Sequence, residues 1–127
     1  LIEENFYIEE FDVSQDGENI VIVAAPSPSM RDYINRDLYI KKRNDEELIK
    51  LNRNKLIEGS VYFSPQGNKI CYTASIREKD YYEFRIQENT LEIYDLDNDD
   101  VFHPLKEHDS TLLPLRWTEK GILIKYV

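Results

Sequence analysis

Three glycines frame a repeat that limits what this chain can fold into. Gly17, Gly67 and Gly121 fall in Phe11–Ala25, Val61–Ser75 and Leu115–Val127. The stretches share one grammar: an apolar or aromatic residue, Ser or Thr, two turn residues, Gly, then an apolar run. The glycines lie 50 and 54 residues apart. A second element repeats in phase, Arg36–Leu51 against Thr90–Leu105, with Leu38 and Leu91 53 residues apart. Self-similarity at this period marks repeat architectures, in which each supersecondary unit buries its apolar faces against the next.

The repeat predicts strands. In Ser14-Gln15-Asp16-Gly17 and Ser64-Pro65-Gln66-Gly67 the glycine supplies the positive φ that a tight hairpin turn needs. The following strand is apolar on both faces: Ile20, Ile22 and Ala24 on one side and Val21 and Val23 on the other, and likewise Ile70, Tyr72 and Ala74 against Cys71 and Thr73. A sheet with one wet face would alternate apolar with polar, so both faces are expected to be covered. Third strands follow at Leu38–Ile40 and Leu91–Leu96. More polar fourth strands follow around Leu48–Leu51 and Val101–Leu105, where charge and Pro104 suit an outer edge. Glu46–Lys55 could be drawn as a helix, but its counterpart contains Pro104 and the repeat argues for a strand.

Each unit is thus a four-stranded antiparallel meander of about 50 residues, the size class of a propeller blade. The expected fold is all-β: a β-propeller fragment with two four-stranded blades and the first hairpin of a third. It forms one partial domain over 1–127, with units at about 6–57, 58–109 and 110–127. Propellers close with about 4–8 blades. Two and a half would leave apolar end faces, expected at Val21, Ile22, Tyr72 and Ile124. With Leu1 in place of an initiator Met, this leads to the expectation of a fragment. The rival reading is a small domain that closes by oligomerising.

Phe63-Ser64-Pro65-Gln66-Gly67-Asn68-Lys69-Ile70 with Leu91-Glu92-Ile93-Tyr94-Asp95-Leu96 resembles the TolB-type, WD-like β-propeller repeat. Gln66 stands where Asp is usual. The first unit has Gln15 in place of Pro, and the third is tighter after its turn. Such repeats form TolB-like proteins and the propeller of prolyl-oligopeptidase family serine peptidases, acylaminoacyl peptidases among them. The long loop between second and third strands and the phrase Trp117–Ile124 lean toward the peptidase propeller. That resemblance implies a non-catalytic part that gates or binds peptide substrate. Its partners would be the rest of the propeller and an α/β-hydrolase domain. The alternative is a TolB-like protein–protein interaction module without an enzymatic domain.

Chemistry of its own is not expected of the chain. It has no G-x-S-x-G nucleophile elbow, and Ser14 and Ser64 read as turn residues. Four glycines are too few for a phosphate-cradling loop. His103 and His108 read as surface residues. Asp95–Asp100 begins like a calcium loop but has Asp100 and Lys106 where Gly and Glu are required, and reads as a solvated turn. No cofactor and no metal are expected. A net charge of -9 argues against nucleic-acid binding, and no apolar run is long enough for a membrane span. The lone Cys71 excludes an internal disulfide and, mid-strand, reads as buried and reduced. With no visible signal segment, this points to a cytoplasmic setting.

The long loops are the candidate binding surface. Loops that join second to third strands emerge on one face of successive blades. Arg31, Tyr33 and Arg36 from the first unit would cluster there with Arg77, Tyr81, Tyr82 and Arg85 from the second, residue types that anchor interfaces. The bland alternative packs the aromatics back on the sheet. Self-association through the apolar end faces is expected as well.

Overall fold

The structure, a computed structural model, describes residues 7–29, 36–51, 56–76, 90–105 and 112–126. It is all-β, with no helix among the described residues. The first sheet comprises β1 (Tyr7–Val13), β2 (Asn19–Ala25), β3 (Asp37–Lys42) and β4 (Leu48–Lys50). The second repeats it with β5 (Leu56–Phe63), β6 (Lys69–Ile76), β7 (Thr90–Asp95) and β8 (Asp100–Phe102). The third holds β9 (Leu112–Thr118) and β10 (Gly121–Tyr126). Each is an antiparallel meander in sequence order, and none closes on itself. The fourth strands are shorter than their sequence suggests, and β5 already begins at Leu56.

The turns explain the repeated Ser-x-x-Gly. Gly17 and Gly67 adopt φ of 74° and 75°, a region open to Gly without a Cβ clash. Ser14 and Ser64 are buried, and each hydroxyl accepts the N–H of the residue that opens the next strand, from Asn19 at 3.0 Å and Lys69 at 3.1 Å. In the first turn the Ser14 hydroxyl also donates to Asp16 Oδ1 at 2.6 Å, and the same oxygen accepts the Glu18 N–H at 2.9 Å. In the third hairpin Thr118 takes the serine's place, accepting the Lys120 N–H at 3.2 Å across a tighter turn.

Stacking follows from the strand period. Successive side chains point to opposite faces, so Val21, Val23, Leu38 and Ile40 leave the first sheet toward the second. There they meet Val61, Phe63, Ile70, Tyr72, Ala74 and Tyr94 in one buried cluster. The opposite face of the second sheet sends Cys71 and Leu91 against Leu112, with Trp117, Ile122 and Ile124 packed around them. The second sheet is therefore covered on both sides, as its two-sided apolar strand requires.

The end faces differ from the expected ones. Val21 and Tyr72 are completely buried between the first two sheets, Ile22 is buried within its own, and Ile124 turns inward. Among the described residues the exposed apolar side chains of these outer faces come instead from β1 (Ile8, Phe11 and Val13) and from β10 (Leu123). Odd positions of β2 face the second sheet, whereas Ile22 shares the opposite face with its cross-strand partner Phe11 and is still only 1% exposed.

A further recurrence has no signature in residue types. The first strand of each sheet is bulged against its neighbour, at Ile8/Glu10, Gly59/Tyr62 and Pro114/Arg116. In β5 the bulge carries Ser60 at φ 50°. A bulge bends its strand and increases its twist. Here it lets the three first strands run side by side, where β1 contacts β5 and β5 contacts β9.

Candidate functional site at the converging first strands

The approach of β1, β5 and β9 opens two depressions. One, of about 300 Å³, lies between β1 and β5 and is lined by Glu9, Glu10, Phe11 and the bulge Ser60–Tyr62. The other, of about 320 Å³, runs across the hairpin ends of all three sheets. Its walls are Asp12, Val13 and Gln15 from the first sheet, Phe63, Ser64 and Pro65 from the second, and Arg116 to Glu119 from the third.

Carboxylates of β1 hold the walls together. Glu10 Oε2 accepts the Ser60 N–H at 2.6 Å, and Asp12 Oδ2 accepts the Phe63 N–H at 2.7 Å. These residues alternate along β1, so both reach the same side. The donors are backbone groups that the bulge withdraws from the β5–β6 ladder or that lie beside it. Charge-assisted bonds of this kind are about twice as strong as neutral ones.

Arg36 is the one sequence-derived binding candidate among the described residues. Its Nη1 donates to Glu9 Oε2 at 2.8 Å, and its side chain retains only 12% exposure. Nη2 lies 3.1 Å from where a Cβ on Gly59 would stand, so the guanidinium packs closely against the second sheet at a residue that has no side chain. Arg36 thus pairs with a carboxylate of the first sheet and lies against the second, beside the first depression. Arg31, Tyr33, Arg77, Tyr81, Tyr82 and Arg85 lie outside the described residues, as does His108.

The larger groove offers binding chemistry. Pro65 and the half-buried Trp117 give apolar planes, exposed Arg116 a cation, and exposed Glu119 an anion. A polypeptide presents that mixture of apolar, charged and amide groups. Sequence reasoning missed the groove because its residues lie in three different units. The available signal was Trp117 standing where Val13 and Phe63 stand, directly before Thr118, Ser14 and Ser64.

The nearby serine is not a nucleophile in this geometry. The Ser64 hydroxyl is buried, donates to Asn68 Oδ1 at 3.3 Å and accepts from Lys69. His103 is half exposed, and its Nδ1 lies 3.5 Å from Oε1 of the buried Glu92 at the far edge of the second sheet, away from the groove. Asp95 caps its own turn: Oδ1 accepts from the N–H groups of Asp97 at 3.0 Å and Asn98 at 3.2 Å, and Oδ2 accepts from Asn98 Nδ2 at 2.9 Å. Those donors, the Asn98 side chain foremost, hold the Asp95 carboxyl below its ordinary value. Among the described residues no three His, Cys, Asp or Glu side chains are grouped to hold a metal, and no helix is long and apolar enough to cross a membrane. No protein-family model matches the chain, and no curated protein matches its sequence.

Proposed function

We propose that this chain is a non-catalytic segment of a β-propeller that binds or gates a peptide, of the kind that forms the propeller portion of prolyl-oligopeptidase-type serine peptidases. The observation that carries the reading is the groove across the three hairpin ends, where Pro65, Arg116, Trp117 and Glu119 converge without a nucleophile among them. The threefold recurrence of bulged first strand and Ser/Thr-bridged turn, with the two-faced second strand of the first two sheets, supports a blade-by-blade stack. The repeat grammar supports the peptidase lineage. In this reading the reacting groups belong to an α/β-hydrolase domain, and the chain alone turns over no acyl-peptide or prolyl substrate.

A second reading, a TolB-like interaction module with no enzymatic domain, draws on the exposed Phe11 and Leu123. Apolar faces of this kind need a partner but no chemistry. Labelling of the native full-length polypeptide with a fluorophosphonate serine probe separates the two. A labelled band that an antibody to residues 7–126 also recognises supports the peptidase reading. Full-length polypeptide that binds peptide but takes no label supports the interaction module and overturns the first reading.

A further inference from the structure

One buried carboxylate takes no part in the clamp or the turns. Glu92 lies in β7, and its side chain retains only 3% exposure. It pairs with the fully buried Tyr72. Tyr94, two positions on and on the same face, belongs to the apolar cluster between the first and second sheets. Glu92 Oε2 has no hydrogen-bond partner. Taking a carboxylate out of water is costly unless hydrogen bonds or a cation replace the lost solvent.

A second observation stands beside it. β7 pairs with β8 through Asp95 and Asp100, Tyr94 and Val101, and Ile93 and Phe102, and the next step of that register sets His103 opposite Glu92. His103 Nδ1 lies 3.5 Å from Glu92 Oε1. A charge-assisted N–H···O bond spans about 2.7–2.9 Å, so the two atoms face each other without one. Their separation fits two ligands of one tetrahedral ion instead. Bonds of about 2.0–2.2 Å to nitrogen and oxygen, at about 109°, put the ligand atoms about 3.3–3.5 Å apart. The right angle of an octahedral ion with bonds of about 2.1 Å would bring them to about 3 Å. The His103 side chain is 47% exposed, which leaves the pair open to solvent on one side.

We infer that Glu92 and His103 hold one zinc ion between Oε1 and Nδ1, fastening β8 to β7 at the outer edge of the second sheet. Imidazole with carboxylate suits zinc, whereas magnesium and calcium take oxygen ligands. The ion supplies the positive charge that the buried carboxylate lacks. Among the described residues no third His, Cys, Asp or Glu joins the pair, so this is a site of two protein ligands with its other positions open to water. β8 is only three residues long, and a cross-strand metal adds a tie where its pairing ends. The turn at Asp95–Asp100 lies at the other end of β8 and takes no part. The site is separate from the hairpin-end groove, and the inference does not rest on the proposed peptidase lineage.

The test titrates the chelator-washed 127-residue chain with zinc chloride, and separately with magnesium chloride, by calorimetry and amide hydrogen exchange. Zinc is expected to bind and to slow exchange in Asp100–His103 and in β7, and magnesium to do neither. Loss of an outer partner of a metal ligand already costs about 10–100-fold in affinity. His103→Ala, which removes a ligand itself, is therefore expected to weaken zinc at least tenfold and to abolish the protection. Its exchange in β1, β2, β5 and β6 should match the wild type, which shows that this exposed change leaves the chain folded. Glu92→Gln, which keeps the side chain's size, is expected to weaken zinc as much. If that buried change unfolds the chain, His103→Ala decides alone. The inference is overturned if zinc does not bind, if His103→Ala binds it as tightly as the wild type, if magnesium protects β8 equally, or if protection falls at the Asp95–Asp99 turn and not at His103.

Discussion

Asp12 reaches from the first sheet to the second and accepts the backbone N–H of Phe63 at 2.7 Å. Glu10, two positions earlier, does the same for Ser60. Apolar burial alone would let two such sheets slide, because the hydrophobic effect has no direction. Two carboxylates aimed at two fixed N–H groups set one register between them.

Asp12→Ala is expected to lower stability by about 1.5–3 kcal/mol, the range for hydrogen bonds to charged groups. The Phe63 N–H is left without its acceptor. Asp12→Asn keeps an acceptor oxygen but not the charge, and should lose about half as much. Urea unfolding of the three proteins checks the order. Equal losses for Asn and Ala would mean that the bond contributes nothing specific.

How much of this was legible in the sequence depends on range. The turns were, because Ser14 and Gly17, or Ser64 and Gly67, act within a few residues and leave a fixed spacing. The two-faced strands were, because Val21–Val23 and Ile70–Tyr72 show no polar alternation. The carboxylate clamp was not: no local spacing marks Glu10 and Asp12, and their partners are backbone groups about one repeat away. The bulges were invisible for the same reason. Arg36 illustrates the limit at the candidate site. Its residue type suggested a ligand anchor, but only the fold shows that Glu9 and the bare Gly59 receive it.

The Ser14 hydroxyl, followed by the Glu18 N–H, lowers the Asp16 carboxyl below its ordinary 3.8. A depressed folded-state value means that the contribution is present above the unfolded value and is lost as pH falls through the folded one. Urea midpoints of the wild type should therefore drop more steeply below about pH 4 than those of Asp16→Asn. Ser14→Ala should flatten the same limb by removing the main cause. Parallel acid limbs for all three would show that the turn hydrogen bond is not formed in solution.

Cys71 is completely buried between the second and third sheets, and that burial pushes its thiol up to about 12. The thiolate is the reactive form, so the folded chain should resist a disulfide reagent near pH 8 and react only on unfolding. Cys71→Ser should cost about 1–3 kcal/mol by burying a hydroxyl in an apolar site, and more than Cys71→Ala. Fast labelling of folded protein would place β6 at a surface.

Gly17 and Gly67 provide a cleaner backbone test. A Cβ at Gly17 meets nothing within 4 Å, and one at Gly67 meets only Ser14 Cβ at 3.5 Å, an ordinary contact. Alanine at either position is therefore penalised by its positive φ alone, about 1–2 kcal/mol. The two losses should be equal within a few tenths of a kcal/mol, and additive in the double variant if the sites do not share partners. Thermal or urea unfolding reads both. A much larger loss at Gly67 would reveal crowding between the first two turns.

Phe11 is 66% exposed, with Ile8 at 41% and Val13 at 44% on the same strand. At about 25 cal/mol per Å², covering such a surface returns several kcal/mol, part of which offsets the ordering cost of association. The net charge of -9 opposes contact between copies, but salt screens it beyond about 8 Å under physiological conditions. Apolar burial should win, so the mean mass in sedimentation should rise with protein concentration, and more so in higher salt. Phe11→Ser, a surface change that leaves the buried clusters intact, should shift that rise to several-fold higher concentration. Leu123→Ser, at the other end of the stack, should shift it as well if copies join head to tail, and should leave it unmoved if two first sheets meet face to face. A wild-type chain that stays monomeric at every concentration would mean that Ile8, Phe11 and Val13 are covered by the chain itself in solution.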